Sequence, residues 1–170
     1  MSTLFRLDAS IRRESSATRA LADTIEQALV AELPGLSVTR RDLGQAPVDA
    51  HVWADSIAAA STPPQQRSAA QREAAATAAL LADEVLAADT LLFAVPLYNW
   101  GVSQHFKTWF DVAVTDPRIG PRPTAFTGRP AFLVTARGGA YGPGTPREGW
   151  DHAIGWMRRV LADFAQLLFR

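Results

Sequence analysis

Three short segments of the chain hold the side chains that could do chemistry. Ser10, Ser15, Ser16 and Thr18 crowd one polar run, Asp8–Thr18, just ahead of a stretch in which Leu21, Ile25, Ala28, Leu29 and Leu33 recur at helical spacing. A helix starting there offers unpaired backbone N–H groups and the positive end of its dipole, and the hydroxyls add donors; that suits an anion such as a phosphate. Taken alone, Ser16 or Thr18 also reads as a simple helix cap. The second segment, Pro96-Leu97-Tyr98-Asn99-Trp100, sets two aromatics and an amide together. They read as a wall and an edge partner for a flat ring system, or as a turn with two packing aromatics. The third, Ala136-Arg137-Gly138-Gly139, offers glycine N–H groups that can approach a ligand closely, or is a mobile connection.

Other chemistries are poorly served. The first loop matches neither G-x-G-x-x-G nor G-x-x-x-x-G-K-[ST], which argues against a dinucleotide fingerprint and an NTPase. No G-x-S-x-G elbow suggests a serine hydrolase. With no cysteine there is no thiolate nucleophile, disulfide or Cys-ligated metal, and three scattered histidines (His51, His105, His152) leave little for a metal site. Seventeen basic residues balance seventeen acidic ones, which removes the broad positive footprint of a nucleic-acid binder. The pairs Arg12-Arg13, Arg40-Arg41 and Arg158-Arg159 read as solvated surface. No apolar run approaches a membrane span, and the N-terminus lacks a signal-peptide core. The reading is a cytoplasmic protein that binds neither nucleic acid nor membrane.

The elements that must position these segments follow from the hydrophobic pattern. Leu4–Leu7 reads as a buried strand, Leu36–Arg40 as a half-buried edge strand, and Thr90–Pro96 and Ala131–Thr135 as strands covered on both faces. Helices are expected from Ser16 or Thr18 to Pro34, around Ala54–Ala60, from about Pro64 to Leu86, from Ser103 through Val114, and from about Arg147 to Leu168; residues 115–129 read as a loop. The alternation β-α-β-α-β-α-β-α predicts one domain over residues 1–170, α/β in class, a doubly wound parallel sheet with helices on both faces. In such sheets ligands sit outside the carboxyl ends of the strands. The three polar segments follow strands one, three and four, so all of them fall there. A phosphate end and a planar-ring end on one crest describe a mononucleotide, and FMN fits best.

At this point the residues meet a resemblance. The run Pro96-Leu97-Tyr98-Asn99-Trp100-Gly101-Val102-Ser103-Gln104-His105-Phe106-Lys107-Thr108-Trp109-Phe110-Asp111 resembles the signature of the FMN-dependent NADH:quinone oxidoreductases, also called azoreductases. Leu7-Asp8-Ala9-Ser10 with Ser16–Asp23 resembles that family's phosphate loop, and Ala136–Gly139 its second ring-binding loop. The likeness implies a flavodoxin-like fold and a homodimer with tightly bound FMN at the interface. It also implies a ping-pong reaction in which NADH or NADPH delivers hydride to flavin N5, and a quinone or azo compound then takes two electrons. By position, Ser10, Ser16, Ala17 and Thr18 would hold the phosphate and ribityl chain. Leu97, Tyr98, Asn99 and Trp100 would line the ring, and Ala136, Arg137, Gly138 and Gly139 its pyrimidine edge. Trp53 and Tyr141 are candidates for substrate contacts. No side chain is needed as an acid–base catalyst and no metal is implied, since the flavin carries the chemistry.

The chain departs from the family pattern in three places. Ala136 stands where the family often has serine, and Tyr141 where some members have histidine. The residues Ala165–Arg170 do not resemble the family's continuation into a fifth strand and a final helix. Four strands are therefore expected, with the fifth missing and Ala131–Thr135 left as an edge guarded only by Pro130. A shortened C-terminus of that kind leaves a second reading open: a catalytically weak flavodoxin-like module acting through its open edge.

Overall fold

The computed structural model describes residues 2–120 and 125–169. Part of the loop read over 115–129 therefore lies outside the described residues. Strand β1 (Thr3–Asp8) is buried at every position but its first and is an interior strand of a parallel sheet. It pairs on one side with β2 (Ser37–Asp42) and on the other with β3 (Thr90–Ala94), and β3 in turn pairs with β6 (Pro130–Val134). Successive side chains of a strand face opposite sides. Phe5 and Leu7 accordingly join the larger core, with Phe93, Phe106, Trp109, Val112 and Met157. Leu4 joins the smaller one, with Ala22, Leu92, Ala94 and Val134.

Helix α1 (Ala17–Glu32) covers the smaller core, capped by Ser16, whose hydroxyl accepts from the Arg19 N–H. Helices α2 (His51–Ala60), α3 (Ala69–Leu86) and α4 (Gln104–Ala113) lie on the other side, and α3 starts with a reciprocal Ser68/Gln71 capping box. Ser103 precedes α4 but makes no cap hydrogen bond. Its buried hydroxyl donates instead to the Ala9 carbonyl (3.0 Å), fastening the start of α4 to the end of β1.

Three features of the fold differ from the sequence expectation. Between β3 and α4 the chain forms a small antiparallel hairpin, β4 (Leu97–Tyr98) and β5 (Gly101–Val102). Its turn residues Asn99 and Trp100 are both left-handed, with φ of 47° and 62°. Two consecutive positive φ values make the primed turn whose twist matches a hairpin, a geometry that asparagine tolerates and a bulky residue resists. The C-terminal part is also less helical than its apolar stripe implies. Pro143, Pro146 and Gly149 (φ 78°) keep the chain irregular as far as Asp151, whose carboxylate accepts from the N–H groups of Ala153 and Ile154. Helix α5 spans only Ile154–Arg158 and continues as a π-helical turn over Arg159–Phe164.

The fifth strand expected to be missing is present as a stub. After a left-handed Gln166 (φ 54°), β7 (Leu168–Phe169) runs parallel to β6, pairing with Pro130 and Ala131. The sheet order is β2-β1-β3-β6-β7. Among the described residues β7 pairs with the first two residues of β6, and Phe132–Val134 are paired on the β3 side. Among the described residues no helix is long and apolar enough to cross a membrane.

Candidate functional site

The carboxyl ends of β1, β3 and β6 converge, and the loops leaving them enclose one cleft of about 270 Å³. One wall comes from the first loop and the start of α1: Ser10, Arg12, Ser15, Ser16, Ala17 and Thr18. The opposite wall comes from Pro96, Leu97 and Tyr98, with Ala136, Arg137 and Gly138. At the helix start, Ser16 satisfies the N–H groups of Arg19 and Ala20 through its hydroxyl and carbonyl. The N–H groups of Ala17 and Thr18 find no acceptor among the described residues. Free amide donors at the positive end of a sixteen-residue helix, beside the hydroxyls of Ser15, Ser16 and Thr18 and the Arg12 guanidinium, suit a phosphate group.

The first loop is gripped from two directions. On the hairpin side, the Tyr98 hydroxyl shares a hydrogen bond with Ser10 Oγ (3.1 Å) and accepts from the Ile11 N–H (3.2 Å). Ser10 Oγ also accepts from the Arg12 N–H, folding the loop on itself. On the helix side, Arg19 donates to the carbonyls of Ser10 (2.8 Å) and Arg12 (3.1 Å) while forming a two-pronged pair with Asp42 at 2.6 and 2.7 Å. Burial would raise the Asp42 carboxyl, but the Arg19 guanidinium and the Gly44 and Gln45 N–H groups outweigh it and hold it below the usual range. The same Asp42 hydrogen bonds raise Arg19.

Beneath this loop sits an unusual charge cluster on the α1 face of β1. Arg6 is buried and donates to Asp8, Asp23 and Glu26. Burial alone would lower its pKa; the hydrogen bonds it donates to Asp8 and then Asp23, with Glu26, reverse that and raise it. Glu26 is paired in addition with Arg40 of β2, and Arg41 on the same strand is paired with Glu84. The Arg40-Arg41 doublet thus makes ion pairs rather than a free solvated surface.

The third loop is shaped by Arg147, whose guanidinium donates to the Gly138 carbonyl at 2.7 Å. A Cβ on Gly139 would stand 2.2 Å from that guanidinium, which would have to swing aside to admit it. Arg137 pairs with Asp151 (3.1 Å), and both Arg137 and Arg147 lie over the Tyr141 ring.

Residues 2–165 match a family described as having a flavodoxin-like fold. The chain is 41% identical over 165 residues to an FMN-dependent NADH:quinone oxidoreductase of Frankia casuarinae, covering 95% of this chain and 78% of that one. It is 39% identical to the protein of the same name from Frankia alni, covering 95% and 77%. The chain belongs to the FMN-dependent NADH:quinone oxidoreductase family. A crystal structure of an azoreductase from Bacillus anthracis str. Sterne superposes with a TM-score of 0.80 at 19% identity, over 96% of this chain and 82% of that one, which shows the shared flavodoxin-like fold.

For this oxidoreductase-family chain, the cleft collects nine of the residues singled out in the sequence: Ser10, Ser16, Ala17, Thr18, Leu97, Tyr98, Ala136, Arg137 and Gly138. Three lie beyond it. Asn99 lines a neighbouring cleft with Ile11 and His105. Trp100 is half-exposed and packs edge-on against Trp150 at 5.7 Å, its carbonyl accepting from the His152 N–H. Gly139 sits against Arg147. Of the two substrate candidates, Tyr141 lies by the third loop between its two arginines, whereas Trp53 lines a separate groove with Val102, Gln104, Lys107 and Asp111. Sequence reasoning missed Arg12 and Arg19. Arg12 is half of a doublet read as surface, and only its place between the β1 end and the α1 start would have marked it. Arg19 had no signal at all, because its partners Ser10, Arg12 and Asp42 meet only through the fold.

Proposed function

We propose that the protein is an oxidoreductase that binds FMN in this cleft and passes two electrons from NADH or NADPH to quinones or aromatic azo compounds. The cleft carries the reading: free amide donors, hydroxyls and Arg12 lie at one end, and Leu97, Tyr98 and the Ala136–Gly138 backbone at the other. The first set matches a phosphate; the second matches a flat ring with hydrogen-bonding edges. The relatives named as FMN-dependent NADH:quinone oxidoreductases support the same assignment.

In this reading Ala17 and Thr18 donate backbone N–H groups to the phosphate, Ser15 and Ser16 frame it, and Arg12 supplies a cation. Ser10 acts through its carbonyl and hydroxyl to hold the loop. Pro96 and Leu97 close one side against water, and Tyr98 joins the two ends by its hydroxyl. Arg137 and the Gly138 backbone face the ring edge, where positive charge and N–H donors stabilise electron uptake. When bound, FMN supplies the two-electron carrier chemistry of a ping-pong cycle, and no side chain of the cleft need move a proton. The half-exposed Trp53, Trp100 and Trp150 and the exposed Ile11, all on or beside the hairpin clefts, support a homodimer that buries them next to the flavin.

The test is a visible absorption spectrum of the purified protein with FMN, before and after anaerobic NADH, then after a quinone. Retained flavin bands that bleach with NADH and return with quinone are expected. A folded protein that retains no flavin would overturn the assignment and favour a binding module instead.

A further inference from the structure

The Arg19 guanidinium makes four hydrogen bonds, and Arg19 is not among the residues lining the cleft. Two go to Asp42, at the end of β2. The other two go to the carbonyls of Ser10 and Arg12, the two ends of the tightest part of the first loop. Asp42 is itself fixed by the N–H groups of Gly44 and Gln45, which it accepts at 2.9 and 3.1 Å. Gly44 closes the arrangement by contact: a Cβ there would lie 2.1 Å from the Ser10 carbonyl oxygen and 2.9 Å from Arg19 Nη2. Backbone oxygen cannot give way as a flexible side chain can. The loop therefore rests on the β2 end through one guanidinium and one glycine, and Arg19 itself is mostly buried.

This arrangement has an electrostatic consequence. Carbonyl oxygens facing the phosphate end of the cleft would repel an anion. Here two of them are turned onto a cation. Because each peptide unit is planar and trans, its N–H points the opposite way, and the Ile11 N–H is duly engaged by Tyr98 on the hairpin side. We propose that Arg19, Asp42 and Gly44 form a positioning brace that presets the first loop for a phosphate, making the cleft selective for FMN over the phosphate-free flavin, riboflavin. The proposal rests on FMN being the ligand of the cleft. Arg19 acts through the loop and does not touch the phosphate.

The test compares FMN and riboflavin binding by quenching of flavin fluorescence, for the wild-type protein and for Arg19→Met, Arg19→Lys, Asp42→Asn and Gly44→Ala. In the variants FMN affinity is expected to fall about 10- to 100-fold, the worth of one or two hydrogen bonds to a charged group, with riboflavin affinity changed less than about threefold. Lysine is expected not to rescue, since a point charge cannot serve two carbonyls and a carboxylate together. Gly44→Ala keeps every charge and disturbs the loop only by contact, so it carries the test if loss of Arg19 or Asp42 prevents folding. Equal losses for FMN and riboflavin would mean a purely structural role and would overturn the proposal, as would unchanged FMN binding in Gly44→Ala and Arg19→Met. If the wild-type protein binds neither flavin, the cofactor assignment fails, and the brace as a selector of FMN fails with it.

Discussion

Replacing Arg6 by methionine keeps the bulk of the side chain and removes the most deeply buried cation among the described residues. The cost can be worked from its partners. Arg6 binds Asp8 with two prongs, at 2.9 and 3.1 Å, and reaches Asp23 at 2.6 Å and Glu26 at 3.1 Å. Asp23 is 56% exposed and recovers water when the cation goes, so it adds little. Glu26 is 11% exposed but keeps Arg40. Asp8 is 5% exposed and is left with only Arg19, at 4.0 Å. The loss is therefore that of one buried carboxylate stripped of its partner and a second one weakened, about 3–5 kcal/mol. For a chain of this size that corresponds to a melting temperature lower by about 6–20 °C. Arg6→Lys restores the charge but not the fork, and should recover part of the loss. Urea unfolding followed by tryptophan fluorescence, with matching thermal melts, measures both variants. If Arg6→Met unfolds within about 1 kcal/mol of wild type, the cluster is not acting as a buried ion pair and the reasoning is refuted.

Three smaller perturbations separate stability from ligand binding. Ser16→Ala removes the cap of α1 and should cost about 1 kcal/mol of stability, read by urea unfolding, and weaken FMN binding by disordering the donors of Ala17 and Thr18. Tyr98→Phe leaves the ring in place but frees the Ser10 hydroxyl and the Ile11 N–H; FMN titration should show a roughly tenfold weaker complex with secondary structure by circular dichroism unchanged. Asp42 is held below the usual carboxylate range, since Arg19 and two backbone N–H groups outweigh its burial. A lowered folded value means its contribution is complete above the ordinary carboxylate pKa of about 3.9 and is lost as pH falls through the lower folded value. Wild-type stability should drop along that acid limb more steeply than the stability of Asp42→Asn, measured by urea unfolding between neutral and acid pH.

Much of the architecture was already legible along the chain, for a local reason. Leu91–Ala94 and Ala131–Val134 are continuous apolar runs because strands covered on both faces need them, and the alternation with amphipathic helices leaves a parallel sheet as the consistent answer. The helix-start wall of the cleft was equally local. Ser16 caps α1 by bonding a residue three positions away, so cap, free amides and hydroxyls all lie in one short stretch. The opposite wall was legible as residue types after β3 and β6. Its division was not: Asn99 and Trp100 follow Tyr98 directly, yet the left-handed turn of the hairpin carries both away from the cleft that Tyr98 lines.

What only the tertiary structure decided are the contacts between segments distant in sequence. The stripe Trp150–Leu168 has helical spacing, but Asp151 starts the helix late and Gln166 turns the chain back, so its end becomes a parallel strand beside β6 instead of a further helical turn. Arg6 stands between buried Phe5 and Leu7 and shows no sign in the sequence that three carboxylates will surround it, two of them from α1. Arg19 and Asp42 are 23 residues apart and meet at the first loop only because β2 lies next to β1. Periodicity and capping are written within a few residues and can be read there; a long-range ion pair depends on which strands become neighbours, and that is fixed by the packing of the whole sheet.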